Sequence, residues 1–126
     1  MRNITIESVD AFMNARKFKK GNMEVEVLPN VTILKLHGND IAYRYNDPER
    51  TLSITNAGWQ TKTTKERLNG IPNVNIHQKD WVWYLNGEEW NGNLIDVETN
   101  KYIPTTRSQD SLADRYFNLI RTNNRI

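Results

Sequence analysis

The segment Ser53 to Arg67, SITNAGWQTKTTKER, holds the decision about this chain. It reads as the end of a strand, a glycine turn, an exposed-or-stapled tryptophan, and a short helix carrying three cations and one carboxylate. Asn56-Ala57-Gly58 turns the chain, with Gly58 suited to positive φ. Thr61 or Thr63 caps the helix that follows, and Thr63 with Glu66 three residues on fits a capping box. Asn69-Gly70, followed by Pro72, predicts a left-handed stop after about two turns. So short a helix cannot stand alone; Leu68, Ile71 and Trp59 are expected to dock it on a sheet.

Upstream, Ile6, Val9, Phe12 and Met13 recur at helical spacing. This predicts an amphipathic N-terminal helix capped by Thr5 and ending near Gly21-Asn22, with Arg16, Lys17, Lys19 and Lys20 in its last turn. Those cations either complement the helix dipole or form part of an anion-binding surface. Met23, Val25 and Val27 alternate with Glu24 and Glu26. Val31 to Leu36, Ile41 to Tyr45 and Thr51 to Thr55 follow, separated by turn signals at Pro29-Asn30, His37 to Asp40 and Asn46 to Glu49. Four short strands so connected predict an antiparallel meander, with Ile41, Tyr43 and Tyr45 on one face.

Downstream, Val74 and Ile76 resume alternation, and Gln78-Lys79 is a turn or bulge. Trp81 to Leu85 is the most β-prone run of the chain, placing Trp81 and Trp83 on one face. Asn86-Gly87 is a preferred hairpin turn. Glu88 to Trp90 returns, and Leu94 to Val97 is an edge strand. Asn100 to Thr106 is a loop. Leu112, Tyr116, Leu119 and Ile120 then line one face of a C-terminal helix.

With 126 residues and 37% hydrophobic content, the chain is one domain with a single modest core. A net charge of +2 allows a local basic patch but not a histone-like tail, and gives no support to DNA mimicry. No cysteine is present, so disulfides and thiolate chemistry are excluded. No apolar run approaches the ~20 residues of a membrane span, and no signal peptide is expected.

Enzyme signatures are sparse. His37 and His77 are placed in turns, without partners at metal-ligand spacing. Glu88 and Glu89 point to opposite strand faces and cannot readily face each other as an acid/base pair. A P-loop, nucleophile elbow or dinucleotide fingerprint is absent. No metal, cofactor or catalytic residue is therefore assigned. The stronger chemistry lies at the helix start, where Thr61, Thr63 and Thr64 offer hydroxyls beside free backbone N–H groups. Lys62, Lys65 and Arg67 add positive charge, and Trp59 is placed to stack on a base. The same residues have a structural reading, as caps, as a staple and as solvated decoration. Trp81, Trp83 and Trp90 are either core or an aromatic platform.

The text Asn56-Ala57-Gly58-Trp59, Thr61, Thr63-Thr64-Lys65, Arg67-Leu68-Asn69, then Trp83 to Gly87 and Glu89-Trp90, resembles small uncharacterised proteins of tailed bacteriophages. Their shared pattern is NAGW-T-TTK-RLN followed by WYLNG-EW. The resemblance covers about the middle third of the chain. It implies phage origin and residence in the bacterial host cytoplasm, and brings no catalytic residues with it.

The expectation is an α+β domain over residues 1–126. An antiparallel sheet of about five to seven strands packs with an N-terminal, a short middle and a C-terminal helix. The expected function is non-catalytic binding of nucleic acid through Trp59, Thr61, Lys62, Thr63, Thr64, Lys65 and Arg67, helped by Trp81, Trp83 and Trp90. The alternative is an inhibitor of a bacterial host protein or nucleic-acid-handling defence complex, as an anti-CRISPR would be. A small hydrolase or nucleotide-binding enzyme is a third reading. The sequence leaves the oligomeric state open.

Overall fold

Alternation in the first half of the chain becomes a meander. In the computed structural model, which describes residues 1–46, 48 and 50–103, the strands β1 (Phe18–Lys20), β2 (Met23–Val27), β3 (Val31–Leu36), β4 (Asn39–Tyr45) and β5 (Leu52–Ile54) lie side by side in chain order. The sheet is completed by β9 (Ile95–Asp96), paired with β5, and β10 (Lys101–Tyr102), giving seven antiparallel strands. Thus Leu94 to Val97 contributes an interior strand rather than an edge. A second sheet of three strands is formed by β6 (Ile76–Lys79), β7 (Val82–Leu85) and β8 (Glu88–Trp90), with the tryptophan-bearing β7 in its centre. The architecture is α+β, with helices α1 (Asn3–Met13) and α2 (Lys62–Asn69) among the described residues. The expected C-terminal helix lies outside them.

One sheet expectation fails for a local reason. The register between β3 and β4 slips at Leu34/Lys35: Leu34 opposes Ala42, but Lys35 opposes Asp40, leaving Ile41 as the extra residue of a bulge. The bulge turns Ile41 into the main core beside Ala42, while Tyr43 packs on the other face with Val31, Ile33 and Leu94. A bulge changes the side-chain alternation that an unbroken strand would keep, so Ile41 does not share a face with Tyr43 and Tyr45.

The N-terminal helix is shorter than its apolar spacing suggests. Ala15 takes φ 50, Ala15 N–H donates to the Phe12 carbonyl, and Arg16 N–H reaches back to that of Ala11. This is a Schellman stop with alanine where glycine is usual. The basic stretch therefore leaves the helix: Lys19 and Lys20 lie on β1, and Gly21-Asn22 is the hairpin turn into β2. Arg16 pairs with Asp10, and Lys20 with Glu7. Thr5 is not the cap but a fully buried residue inside the helix, whereas Ile6 faces solvent.

Thr5 is buried because it joins α1 to α2. Arg67, only 2% exposed, donates through Nη1 to Thr5 Oγ1 at 2.9 Å and to the Glu66 carboxylate, and through Nη2 to Asn22 Oδ1 at 3.4 Å. Thr5 Oγ1–H donates to Glu66 Oε1 at 2.5 Å, and Arg2 N–H donates to Oε2. The helices also touch at Gly70, where an added Cβ would stand 2.6 Å from Thr5 Cγ2. Gly70 has φ −72, so the expected left-handed stop is not formed; the glycine serves close approach. Arg67 is accordingly a buried clamp, not the surface cation expected of it. A buried ion pair that loses one partner leaves the other uncompensated. Arg67→Ala should therefore lower unfolding free energy by about 3–5 kcal/mol in denaturant titration; a loss below about 1 kcal/mol would refute the clamp.

The same network gives a pH dependence. Burial pushes the Glu66 carboxyl up, but hydrogen bonds from Thr5, the Arg2 N–H and Arg67, with the Arg67 charge, outweigh it and hold the group below its ordinary value. A carboxyl depressed in the folded state stabilises above its unfolded pKa, and that stability is lost as pH falls through the folded value. Wild-type protein should lose stability more steeply than Glu66→Gln as pH drops below about 4.5. Parallel acid limbs for the two proteins would contradict the assignment.

Candidate functional site

The Asn56 turn is fixed from both sides. Asn56 N–H and Thr55 Oγ1–H both donate to the Gly92 carbonyl, at 3.0 and 2.9 Å. Asn56 Oδ1 accepts from Gly58 N–H at 2.8 Å, and the Asn56 carbonyl accepts from Trp59 N–H at 2.9 Å. Ala57 and Gly58 both have positive φ, 55 and 86, the pattern of a type I′ turn. The following residue, Trp59, is thrown outward and is 58% exposed.

Two residues on, Thr61 caps α2. Its Oγ1 accepts from Thr64 N–H at 3.1 Å and meets the Thr64 hydroxyl at 3.0 Å. Thr61, not Thr63, is thus the cap, and Glu66 serves the Arg67 network instead of a capping box. The N–H groups of Lys62 and Thr63 stay open at the helix start. Lys62 is exposed and Lys65 half-buried, and neither forms an ion pair among the described residues. A cavity of about 320 Å³ beside this start is lined by Trp59, Thr61, Thr63, Thr64, His37 and the apolar Leu36 and Ile41, among others.

The tryptophan-rich run divides differently from its expected alternation. Trp81 is not in a strand. Lys79 pairs with Val82, so Asp80 and Trp81 form the two-residue tip of the β6–β7 hairpin, with φ 51 and 70. Trp81 is 85% exposed. The turn falls here, not at Gln78-Lys79, and His77 lies on β6 with its ring stacked on Tyr84 at 5.1 Å. Trp83 and Trp90, each 2% exposed, face each other inside the core with centroids 6.0 Å apart. Their indole N–H groups donate to Gln78 Oε1 and the Asn93 carbonyl.

Gln60 joins the two exposed tryptophans. Its Nε2 donates to the Trp81 carbonyl at 2.9 Å, holding the hairpin tip against the residue that follows Trp59. Of the expected site residues, Trp59, Thr61, Lys62, Thr63, Lys65 and Trp81 are exposed or half-buried. Thr64, Arg67, Trp83 and Trp90 are interior. Gln60 opens the candidate stretch, but its hydrogen bond to the hairpin tip, and the exposed Lys79 beside that tip, were not read from the sequence. Neither feature carries a local signal, because only the folded hairpin brings them to the site.

A type I′ tip favours glycine or asparagine at its second position, and a bulky residue at positive φ costs roughly 1–2 kcal/mol. Trp81 gives little back through burial. Trp81→Gly should leave stability unchanged or raise it by up to about 1 kcal/mol, after the larger chain entropy of glycine is counted. Trp83→Ala should cost about 3–5 kcal/mol. A loss above about 2 kcal/mol for Trp81→Gly would make Trp81 a folding residue.

No helix among the described residues is long and apolar enough to cross a membrane. No curated protein and no solved structure matches the chain. The sequence profile of the Kyanoviridae Gp96 proteins, a tailed-phage family, matches residues 1–104, and the chain belongs to that family.

Proposed function

We propose that this phage protein is a non-catalytic binding protein that grips single-stranded nucleic acid in the bacterial host cytoplasm. The observation that carries the reading is the Gln60 hydrogen bond between the loops of two exposed indoles, at the cationic start of α2. Exposed aromatic rings are sequence-tolerant stacking platforms, each contributing about 1–3 kcal/mol per base. Lys62 and Lys65 on α2 and Lys79 beside the hairpin tip have no ion-pair partners among the described residues, and would neutralise phosphates. The open N–H groups of Lys62 and Thr63 add donors for an anionic oxygen. Burial of Arg67 removes one cation from the expected patch, so the affinity expected is modest and strongly salt-dependent.

A second reading, capture of a host or defence protein, draws on the 85% exposure of Trp81, because tryptophan concentrates energy at interface centres. The separation is experimental. Titration of a labelled oligonucleotide at low salt should show binding that weakens as salt rises. Lys62→Ala with Lys65→Ala should lower the slope of log K against log salt by about 1.4. Trp59→Ala should weaken binding about 5- to 150-fold. Absence of oligonucleotide binding at low salt would overturn the proposal, and a nuclease-resistant complex with a host protein would then assign the same surface to the second reading.

A further inference from the structure

A cleft of about 510 Å³ lies at the end of the β6–β7 hairpin away from Trp81, where Asn73 and Asn86 line it together with Arg44, Arg50, Leu52 and Glu98. Arg44 is on β4 and half-buried, and Leu52 of β5 stands opposite it in the ladder. Arg50 precedes Leu52 by two residues and is exposed. The β4–β5 hairpin thus brings two cations to one cleft.

Neither charge is neutralised. Among the described residues neither guanidinium forms an ion pair, and the exposed Glu98 pairs with neither. Arg44 donates through Nη1 to the Met13 carbonyl at 2.6 Å. That bond fixes the side chain but leaves its charge in place, with further N–H donors to spare. Burial, and then the Arg50 charge, press the Arg44 guanidinium below its ordinary pKa, so the two cations are close enough to repel. An arginine keeps its charge in a protein, and the cost stands until an anion relieves it. Arg50 adds a cost of its own. Its backbone has φ 51, in the left-handed region that long side chains rarely adopt and that is found at ligand clamps.

A pair of repelling guanidiniums calls for an oxyanion, because the planar N–H fork of arginine matches phosphate oxygens two at a time. Two positive charges match the roughly −1.5 to −2 of a phosphate monoester near neutral pH better than the single charge of a diester. We propose that the Arg44–Arg50 cleft is a binding site for a phosphate monoester, held between the two guanidiniums. Glu98 offsets part of the positive charge and keeps the affinity modest. The site lies at the other end of the hairpin from the tryptophan–lysine grip and does not depend on that reading. Its ligand is a free small phosphate or the phosphorylated end of a strand.

The test follows the arginine Nε–H resonances by NMR as inorganic phosphate is added, against chloride at matched ionic strength. Phosphate should move the Arg44 and Arg50 signals along a saturating curve, and chloride should not. Arg50→Gly removes an exposed side chain and relieves the positive φ, so its Tm should be unchanged or higher. It should weaken phosphate binding about tenfold or more. A 5′-phosphorylated and a 5′-hydroxyl oligonucleotide of one sequence then distinguish the sources. Tighter binding of the phosphorylated strand, lost in Arg50→Gly, assigns the strand end; equal affinities, with inorganic phosphate still bound, assign a free small phosphate. If Arg50→Gly does not fold, the wild-type titration alone decides. Arg44 and Arg50 signals that phosphate leaves in place, or equal phosphate affinity in folded Arg50→Gly, overturn the site.

Discussion

The constraint on which the site depends is the contact between Asn56 and Gly92. Gly92 lies in the loop that carries the chain from β8 of the three-stranded sheet to β9, the neighbour of β5 in the seven-stranded one, and its carbonyl accepts from both Asn56 N–H and Thr55 Oγ1–H just beyond β5. The approach is too close for a side chain at position 92, and Gly92 has φ 89, so glycine is required on two counts. Asn56 Oδ1 and the Asn56 carbonyl hold the turn that ejects Trp59. From there the chain has only Gln60 before the helix cap at Thr61. Position, exposure and cation placement at the site all follow from this seam.

A second constraint sits behind the site. Arg67, Thr5, Glu66 and Asn22 tie α2 to α1 and to the β1–β2 turn through hydrogen bonds whose geometry leaves little freedom. An eight-residue helix has too few internal bonds to persist in water. The buried guanidinium supplies the anchoring that helix propensity cannot. Its Nε is buried without a partner among the described residues, which is the residual cost of that arrangement. The division of labour along α2 is therefore by turn: its first turn faces solvent with Lys62 and Thr63, and its last turn is fastened to the core through Arg67 and Leu68.

Much of this was legible in the sequence. Strand alternation over Met23–Val27 and Val31–Leu36 marks the strands that form, and Asn86-Gly87 is the hairpin its residue types require. The short helix and its threonine cap were also readable, whereas Trp59, expected with Leu68 and Ile71 to dock that helix, is instead 58% exposed. The failures have separate physical causes. A bulge at Ile41 reversed the facing of a strand. Ala15 and Trp81 took positive φ without being glycine or asparagine, which no propensity argument anticipates. The second of these moved a turn by two residues and put Trp81 in solvent instead of beside Trp83. Arg67 looked like a surface cation because its partners, Thr5 and Asn22, are distant in the chain, and only tertiary contact could bring them together.

Trp83 and Trp90 are packed in the core, whereas Trp59 and Trp81 are exposed, and the proposed grip assigns ligand contact to the exposed pair alone. Indole N–H resonances of the protein, followed by NMR while a single-stranded oligonucleotide is added at low salt, report on each ring separately. Shifts confined to Trp59 and Trp81, with Trp83 and Trp90 stationary, are the predicted result. Movement of Trp83 and Trp90 with Trp59 and Trp81 unchanged, or no movement at any of the four, would contradict it.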